Sequence, residues 1–255
     1  MIKELICAEI AKNALRIIME NTVSVVMTSF NRFDLLHQAV LTFLSVNRYP
    51  IEQFIIIEDS GNLEMKSRIE DFLSRQSTDV VKQYHLIFNE KTEGQIESID
   101  IAYSRVTSKY IFHSEDDYVF FRSGFIERSI AVMEHDPKVM QVWIRRTNDV
   151  VGQPILPLLY KAPAMFNIIN PVDYYIMGEH QEWYGFAFQC GLRQRAAYDA
   201  VKPYTQWSPK TDFPSQRECK VGIALWKLGY KAAILPEGYA RHMGQFRSVS
   251  GNNIQ

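Results

Sequence analysis

Cysteine is scarce in this chain. Of 255 residues only Cys7, Cys190 and Cys219 carry a thiol, an odd number without metal-ligand spacing. That argues against a disulfide framework or a zinc site and for a reducing, cytoplasmic setting. An excess of charge of either sign is also missing. The 28 Lys and Arg are scattered among 29 Asp and Glu, for a net charge of −1, so the broad positive face of a sequence-independent nucleic-acid binder is lacking and no nucleic-acid partner is expected. No apolar run reaches the roughly 20 residues of a membrane-spanning helix. Also absent are Gly-x-Gly-x-x-Gly, a Walker loop, a Gly-x-Ser-x-Gly elbow and His-Glu-x-x-His, which removes the commonest dinucleotide, P-loop, serine-hydrolase and zinc-protease readings.

What is present suits one large α/β domain. With 47% apolar and 22% charged residues, a chain of this length buries a substantial core. Residues 1–20 set Leu5, Ile6, Ile10, Ala14, Leu15 and Ile18 against Lys3, Glu4, Glu9, Lys12 and Arg16, the pattern of an amphipathic helix and not of a secretory signal. Its low basic content favours docking on the domain or a partner subunit over weak peripheral contact with a membrane. Residues 21–255 form the domain. The hydrophobic period predicts strands at Val23–Thr28, Phe54–Ile57, Tyr84–Phe88 and Tyr110–His113, with helices at Phe33–Phe43, Leu63–Arg75 and Gln95–Tyr103. This alternation implies right-handed crossovers and a largely parallel sheet flanked by helices.

The fourth strand runs straight into Glu115, Asp116 and Asp117. Taken alone, an acidic triplet is usually a solvated turn. At the carboxyl edge of a parallel sheet it meets the loop Thr28-Ser29-Phe30-Asn31-Arg32 and the turn Glu58-Asp59-Ser60-Gly61, and such edges form ligand crevices. Three adjacent carboxylates repel one another unless a hard divalent cation shares the site. A carboxylate at Glu58 or Asp59 suits a pyrimidine N–H, and Thr28, Ser29 and Arg32 suit ribose or phosphate.

In combination these segments resemble the family 2-like glycosyltransferases of the GT-A fold. Val23 to Arg32 looks like their opening strand and loop, Ile55 to Ser60 like the nucleotide-binding strand end, and Glu115-Asp-Asp117 like the Asp-x-Asp motif in a Glu-Asp-Asp form. Gly94 is similar to the helix start between them, with Asp100 where the family usually has Asn. The resemblance implies a single-domain, Rossmann-like mixed sheet, with a nucleotide-sugar-binding half at 21–122 that uses Thr28, Ser29, Asn31, Arg32, Glu58, Asp59, Gly94, Glu115 and Asp116. Residues 123–255 would form the acceptor-binding half.

In that half, Glu218 to Tyr230 resembles the family's Glu-Asp helix, with Glu218 at the position of the base of inverting members and Arg217 in place of the first acid. Direct displacement at an anomeric carbon needs such a carboxylate; Asp212 is the reserve. His242 resembles the histidine that some GT-A enzymes add to the metal site, and with Asp117 it favours manganese over magnesium. With Gly244 and Arg247 after it, a closing, phosphate-touching tail is expected. Aromatic faces stack on sugars and carboxylates accept from hydroxyls, so Glu182 and Trp183 are candidates for sugar contact. Phe186 and Phe188, alternating as in a strand, read as core. The expected activity is metal-dependent, inverting transfer from a nucleoside-diphosphate sugar, with UDP favoured, to a hydroxyl of a glycan or glycoconjugate. The rivals are a sugar-1-phosphate nucleotidyltransferase and a non-catalytic sugar-binding scaffold.

Overall fold

The computed structural model describes residues 18–150, 153–166, 168, 170–180, 183–207 and 209–243. The expectations for residues 1–17, Glu182, Gly244 and Arg247 lie outside them.

The first half follows the expected alternation. Strands Val23–Ser29 (β1), Gln53–Glu58 (β2), Tyr84–Phe88 (β3) and Tyr110–Glu115 (β4) are separated by helices Phe33–Val46 (α1), Leu63–Ser74 (α2) and Gln95–Tyr103 (α3). β1 lies parallel to β2 on one side and to β4 on the other, and β2 lies parallel to β3. Successive side chains of a strand point to opposite faces, so Val23, Val25 and Met27 join one core while Val26 joins another. Both faces are apolar because helices cover both, as a parallel sheet requires. On the first face Phe43 of α1 is the central packing unit, its ring centroid 5.3–5.7 Å from those of Phe54, Phe112, Phe120 and Phe125.

The second half adds Tyr118–Phe120 (β5), Phe125–His135 (α4), Val139–Trp143 (β6), Ile155–Ala162 (β7), Val172–Met177 (β8), Gly191–Gln194 (β9), Arg195–Val201 (α5), Pro214–Lys227 (α6), Lys231–Ile234 (β10) and Ala240–His242 (β11). The main sheet has the order β3-β2-β1-β4-β9-β6-β10-β8-β7. β9 runs antiparallel between β4 and β6, and β8 runs antiparallel between β10 and β7. The expected α/β architecture, a mixed and mostly parallel sheet flanked by helices, is therefore borne out. β11 and β5 form a separate antiparallel ribbon. α6 starts with Pro at its first position, where the missing N–H costs nothing, and stops at Gly229, whose φ of 78° permits the left-handed cap.

One local expectation is corrected. Phe186 and Phe188 are core residues, 1% and 5% exposed, but the backbone through them is not a strand. Its polar groups are met instead by side chains: Trp143 Nε1 donates to the Gly185 carbonyl, and Gln141 both donates to the Ala187 carbonyl and accepts from the Ala187 N–H. Among the described residues no helix is long and apolar enough to cross a membrane.

Candidate active site

The carboxyl ends of β1, β2 and β4 open on a crevice of about 530 Å³, lined in part by Thr28, Ser29, Arg32, Asp59, Gly94, Glu115, Asp117, Phe188, Gln189, Arg217, Glu218 and His242. The expected convergence of three strand ends is thus present, and α6 and β11 bring Glu218 and His242 to it from the second half.

The two carboxylates ending β2 differ in their surroundings. Glu58 is fully buried, and its Oε1 accepts from the Asn31 N–H at 3.0 Å and the Ser60 N–H at 3.1 Å. It ties the β1 loop, where Asn31 has a φ of 54°, to the β2 turn. It therefore does not line the crevice, and neither does Asn31. Asp59 does, while accepting from the Glu93 N–H, the Gly94 N–H and Asn89 Nδ2 at 2.7–2.8 Å. Those bonds fix the entry to α3. Gly94 has a φ of 111°, and a Cβ there would lie 2.6 Å from Glu97 Oε2. Asp100 faces away from the crevice: it accepts from the Tyr198 hydroxyl and from the Tyr204 and Thr205 N–H groups at 2.8–3.0 Å. The Asp at this position joins α3 to the 3₁₀ turn Tyr204–Trp207.

The acidic triplet is split by the end of β4. Glu115 is its last residue and accepts from Gln95 Nε2 at 2.8 Å. Asp116 and Asp117 form the turn into β5. Asp116 is wholly buried and is held by Arg32: Nε reaches Oδ2 at 3.1 Å, and the Nη2 group forms a short contact with Oδ1. Arg32 Nη1 also reaches Asp117 Oδ2 at 3.1 Å. Arg32, expected to meet a ribose or phosphate, is thus engaged by the triplet although it borders the crevice. Asp116 is covered by that contact and does not line it.

Asp117 and His242, distant in sequence, are neighbours because β11 pairs with β5 in a register that sets His242 opposite Tyr118, and because the Met243 N–H donates to the Asp117 carbonyl at 2.7 Å. His242 Nε2 lies 3.4 Å from Asp117 Oδ1, which is buried and accepts no hydrogen bond from the described residues. Burial alone would raise the Asp117 pKa, but His242 and Arg32 outweigh it and hold the carboxyl below its ordinary value. An ionised oxygen without a donor beside an imidazole nitrogen is a donor set that fits a divalent cation. Among the described residues no group of three or more His, Cys, Asp or Glu could hold a metal ion by itself, so a cation bound there would draw further ligands from elsewhere.

Glu218 stands at the opposite wall, in the second turn of α6. Its carboxylate accepts a short hydrogen bond from the Phe188 N–H. Burial pushes its pKa up to about 7, while the Phe188 N–H and the Arg193 charge pull the other way. Glu115 rises to about 8 through burial and the charges of Asp117 and Asp116. Asp212 is instead paired with Lys220 at 2.6 Å and does not line the crevice. Trp183 packs edge-on against Trp143, ring centroids 5.8 Å apart, in the second core, away from the crevice lining.

Three features were not anticipated: Gln95 on Glu115, the Phe188 N–H on Glu218, and a 2.7 Å ion pair between Arg217 and Glu97. The last explains how a cation is accommodated where an acid was looked for. Gln95 and Glu97 carried a signal, since both fall in the first turn after Gly94.

Comparison with solved structures gives the fold an external frame. GalNAc-T7 with UDP, GalNAc and Mn2+ superposes with a TM-score of 0.59 at 14% identity, over 87% of this chain and 43% of that one. The mannosyltransferase PcManGT from Pyrobaculum calidifontis, with GDP-Man and Mn2+, gives 0.60 at 13%, over 89% and 58%. S. aureus TarS 1-349 gives 0.58 at 11%, over 88% and 60%. The chain spans roughly half the length of these proteins. Among curated proteins none matches. The profile of glycosyl transferase family 2 matches residues 24–199, from β1 through β9 into α5, and with the GT-A sheet described above it shows that the chain belongs to this family.

Proposed function

We propose that the chain transfers a sugar from a nucleoside-diphosphate sugar to a hydroxyl of a glycan or glycoconjugate acceptor, with inversion and with the help of a divalent cation. The observation that carries this reading is the juxtaposition, around one crevice, of the Asp117–His242 pair with a carboxylate, Glu218, whose pKa lies near 7. Residues 21–122 serve the donor and 123–255 the acceptor, except that His242 joins the donor side through Asp117. Asp59 and the backbone around Thr28 and Ser29 receive the nucleoside, with UDP favoured; two solved structures of the same fold carry UDP.

The bonds balance in one step. The acceptor oxygen attacks the anomeric carbon as the bond from that carbon to the diphosphate oxygen breaks, and the acceptor proton passes to Glu218. A base is most effective when its pKa lies near the working pH, and the burial of Glu218 supplies that. Asp117 and His242 would hold the cation, manganese ahead of magnesium, with the Glu115-Asp116-Asp117 segment in the role of the family's acidic motif. Such an ion supplies positive charge to offset what develops on the leaving diphosphate. No covalent enzyme intermediate is needed.

The test is Glu218→Gln, which keeps the shape and removes the base. A loss of transfer of roughly 10²- to 10⁴-fold is expected with donor affinity retained. Transfer undiminished in that variant would remove Glu218 from the reaction. Product stereochemistry by NMR decides inversion.

A further inference from the structure

Behind the crevice a guanidinium is buried without an acidic partner among the described residues. Arg193, on β9, is 3% exposed. Its Nη1 donates to the Tyr103 hydroxyl at 2.7 Å, and its Nη2 donates to the Ala187 carbonyl at 2.7 Å and the Gln189 carbonyl at 3.2 Å. The group lies 5.4 and 5.5 Å from the ring centroids of Phe186 and Phe188. It therefore grips both sides of Phe188, the residue whose N–H meets Glu218.

We propose that Arg193 is a positioning residue for Glu218: by clamping the carbonyls on either side of Phe188 it aims the Phe188 N–H at the carboxylate, and it keeps its positive charge buried behind that loop. The inference rests on the role given to Glu218 above.

Support of the loop alone does not account for the charge. Gln141 already holds Ala187 with two hydrogen bonds, and Trp143 holds Gly185. Burying a cation without an ion pair costs more than packing an apolar side chain of the same size. The same charge reaches Tyr103, Tyr204 and Cys190, but burial raises each of them and keeps it protonated, which leaves Glu218 as the acid whose ionisation it supports. From β4, Glu115 opposes Glu218 as a like charge. His113, also on β4 and fully buried, is kept neutral by its burial and by Arg193 itself. On α6 the adjacent Arg217 is committed to Glu97. Arg193 and the Phe188 N–H are what pull the Glu218 carboxyl back from the effect of its burial.

The test reads Glu218 directly. With carboxyl-¹³C glutamate, the Glu218 resonance is assigned by its loss in Glu218→Gln and titrated in the wild type, Arg193→Met and Arg193→Lys, with UDP plus MnCl₂ thermal shifts as a control for an intact donor site. Arg193→Met should raise the Glu218 midpoint by about one pH unit, a tenfold change in its ionisation constant. It should also lower kcat and move the acidic limb of the rate profile upward by the same amount, with the donor KM unchanged. Arg193→Lys keeps a charge but loses the two-carbonyl grip, so it should displace the Phe188 amide resonance while shifting the midpoint less. An unmoved Glu218 titration in folded Arg193→Met overturns the proposal. Should Arg193→Met fail to fold, an unmoved Phe188 amide in Arg193→Lys does the same. The titration is independent of turnover: if Glu218→Gln transfers sugar at the full rate, the base assignment fails while the coupling of Arg193 to Glu218 is still decided.

Discussion

Arg32 is the residue whose removal should reveal most about how the acidic turn is stabilised. Asp116 is wholly buried, and among the described residues its carboxylate meets, apart from Arg32, only the Phe30 N–H, at 3.4 Å. Arg32→Ala leaves that charge nearly unsolvated and also removes a 3.1 Å contact from Asp117. Breaking one side of a buried ion pair costs about 3–5 kcal/mol, because the remaining charge keeps its desolvation penalty. Arg32 retains some exposure, its side chain being 15% accessible, so the lower end is expected, about 3 kcal/mol. At about 2–4 °C per kcal/mol for a chain of this size, the melting temperature should fall by roughly 6–12 °C.

The deficit should also depend on pH, and its sign follows from linkage. Arg32 favours the ionised form of Asp116, so without it the folded-state pKa rises further above the unfolded value. A carboxyl whose folded pKa is raised contributes stability that is complete below its unfolded pKa and is lost as pH rises towards the folded one. Arg32→Ala should therefore lose less, relative to wild type, at about pH 5 than at about pH 8. Urea unfolding at both values measures this, with Arg32→Lys as a control that keeps the charge but not the fork. A variant within about 0.5 kcal/mol of wild type at the higher pH would refute the argument, since that is the scale of an ordinary surface pair. A deficit equal at both values would assign the loss to packing.

Asp117→Asn removes the charge that faces His242 and should abolish the manganese-dependent part of the stabilisation by UDP, about 2.7 kcal/mol at a hundred times the dissociation constant; thermal shifts with and without MnCl₂ give the answer. Gly94→Ala forces an L-residue to a φ of 111° with its Cβ 2.6 Å from Glu97 Oε2. It should cost about 1–3 kcal/mol in urea unfolding, and it should weaken UDP binding because the Gly94 N–H donates to the Asp59 carboxylate at the crevice. Glu115 and Glu218 carry pKa values raised to about 8 and about 7 from an ordinary 4.5. Their share of metal-free stability is thus full below about pH 4.5 and lost as pH climbs to 7–8. Glu218→Gln should lose less stability than the wild type between about pH 5 and about pH 8, and equal slopes would contradict that.

The first half of the fold was legible because its information is local. Period-two and helical patterns need only a few residues of context, and Tyr84–Phe88 and Gln95–Tyr103 fall where the pattern put them, while β4 runs two residues beyond its expected end at His113. The location of the crevice followed from topology, since parallel strands share a carboxyl edge. What stayed hidden was which side chains satisfy one another across it. Arg32 looked like a ligand contact because a basic residue in a phosphate loop has that meaning on its own, and nothing near it in sequence announces Asp116. Glu58 and Asp59 looked equivalent, and only the left-handed turn at Asn31 decides that one pins the loop while the other faces the crevice. Phe186 and Phe188 were recognised as core yet misread as a strand, because the side chains that satisfy the backbone on either side of them, at Gly185, Ala187 and Gln189, belong to Gln141, Trp143 and Arg193 on other strands.

Glu218, the candidate base, was easier to pick out than the groups around it. Glu218 sits a fixed distance before a Gly-Tyr helix end, and Gly229 with its positive φ marks that end unambiguously. Burial pushes the pKa of that carboxyl up to about 7, and the two groups that pull it back, the Phe188 N–H and Arg193, come from the segment after β8 and from β9, stretches that meet at α6 only when the antiparallel β9 is inserted between β4 and β6. A strand entering against the prevailing direction brings its side chains to the carboxyl edge from its own amino end. Gly191 therefore lies beside His113 and Trp143, and Arg193, two residues on, is carried back into the sheet beneath the 186–189 segment. The reversal of that one strand places a cation in the interior behind the catalytic candidate, where the loop it grips can deliver a single N–H to the carboxylate.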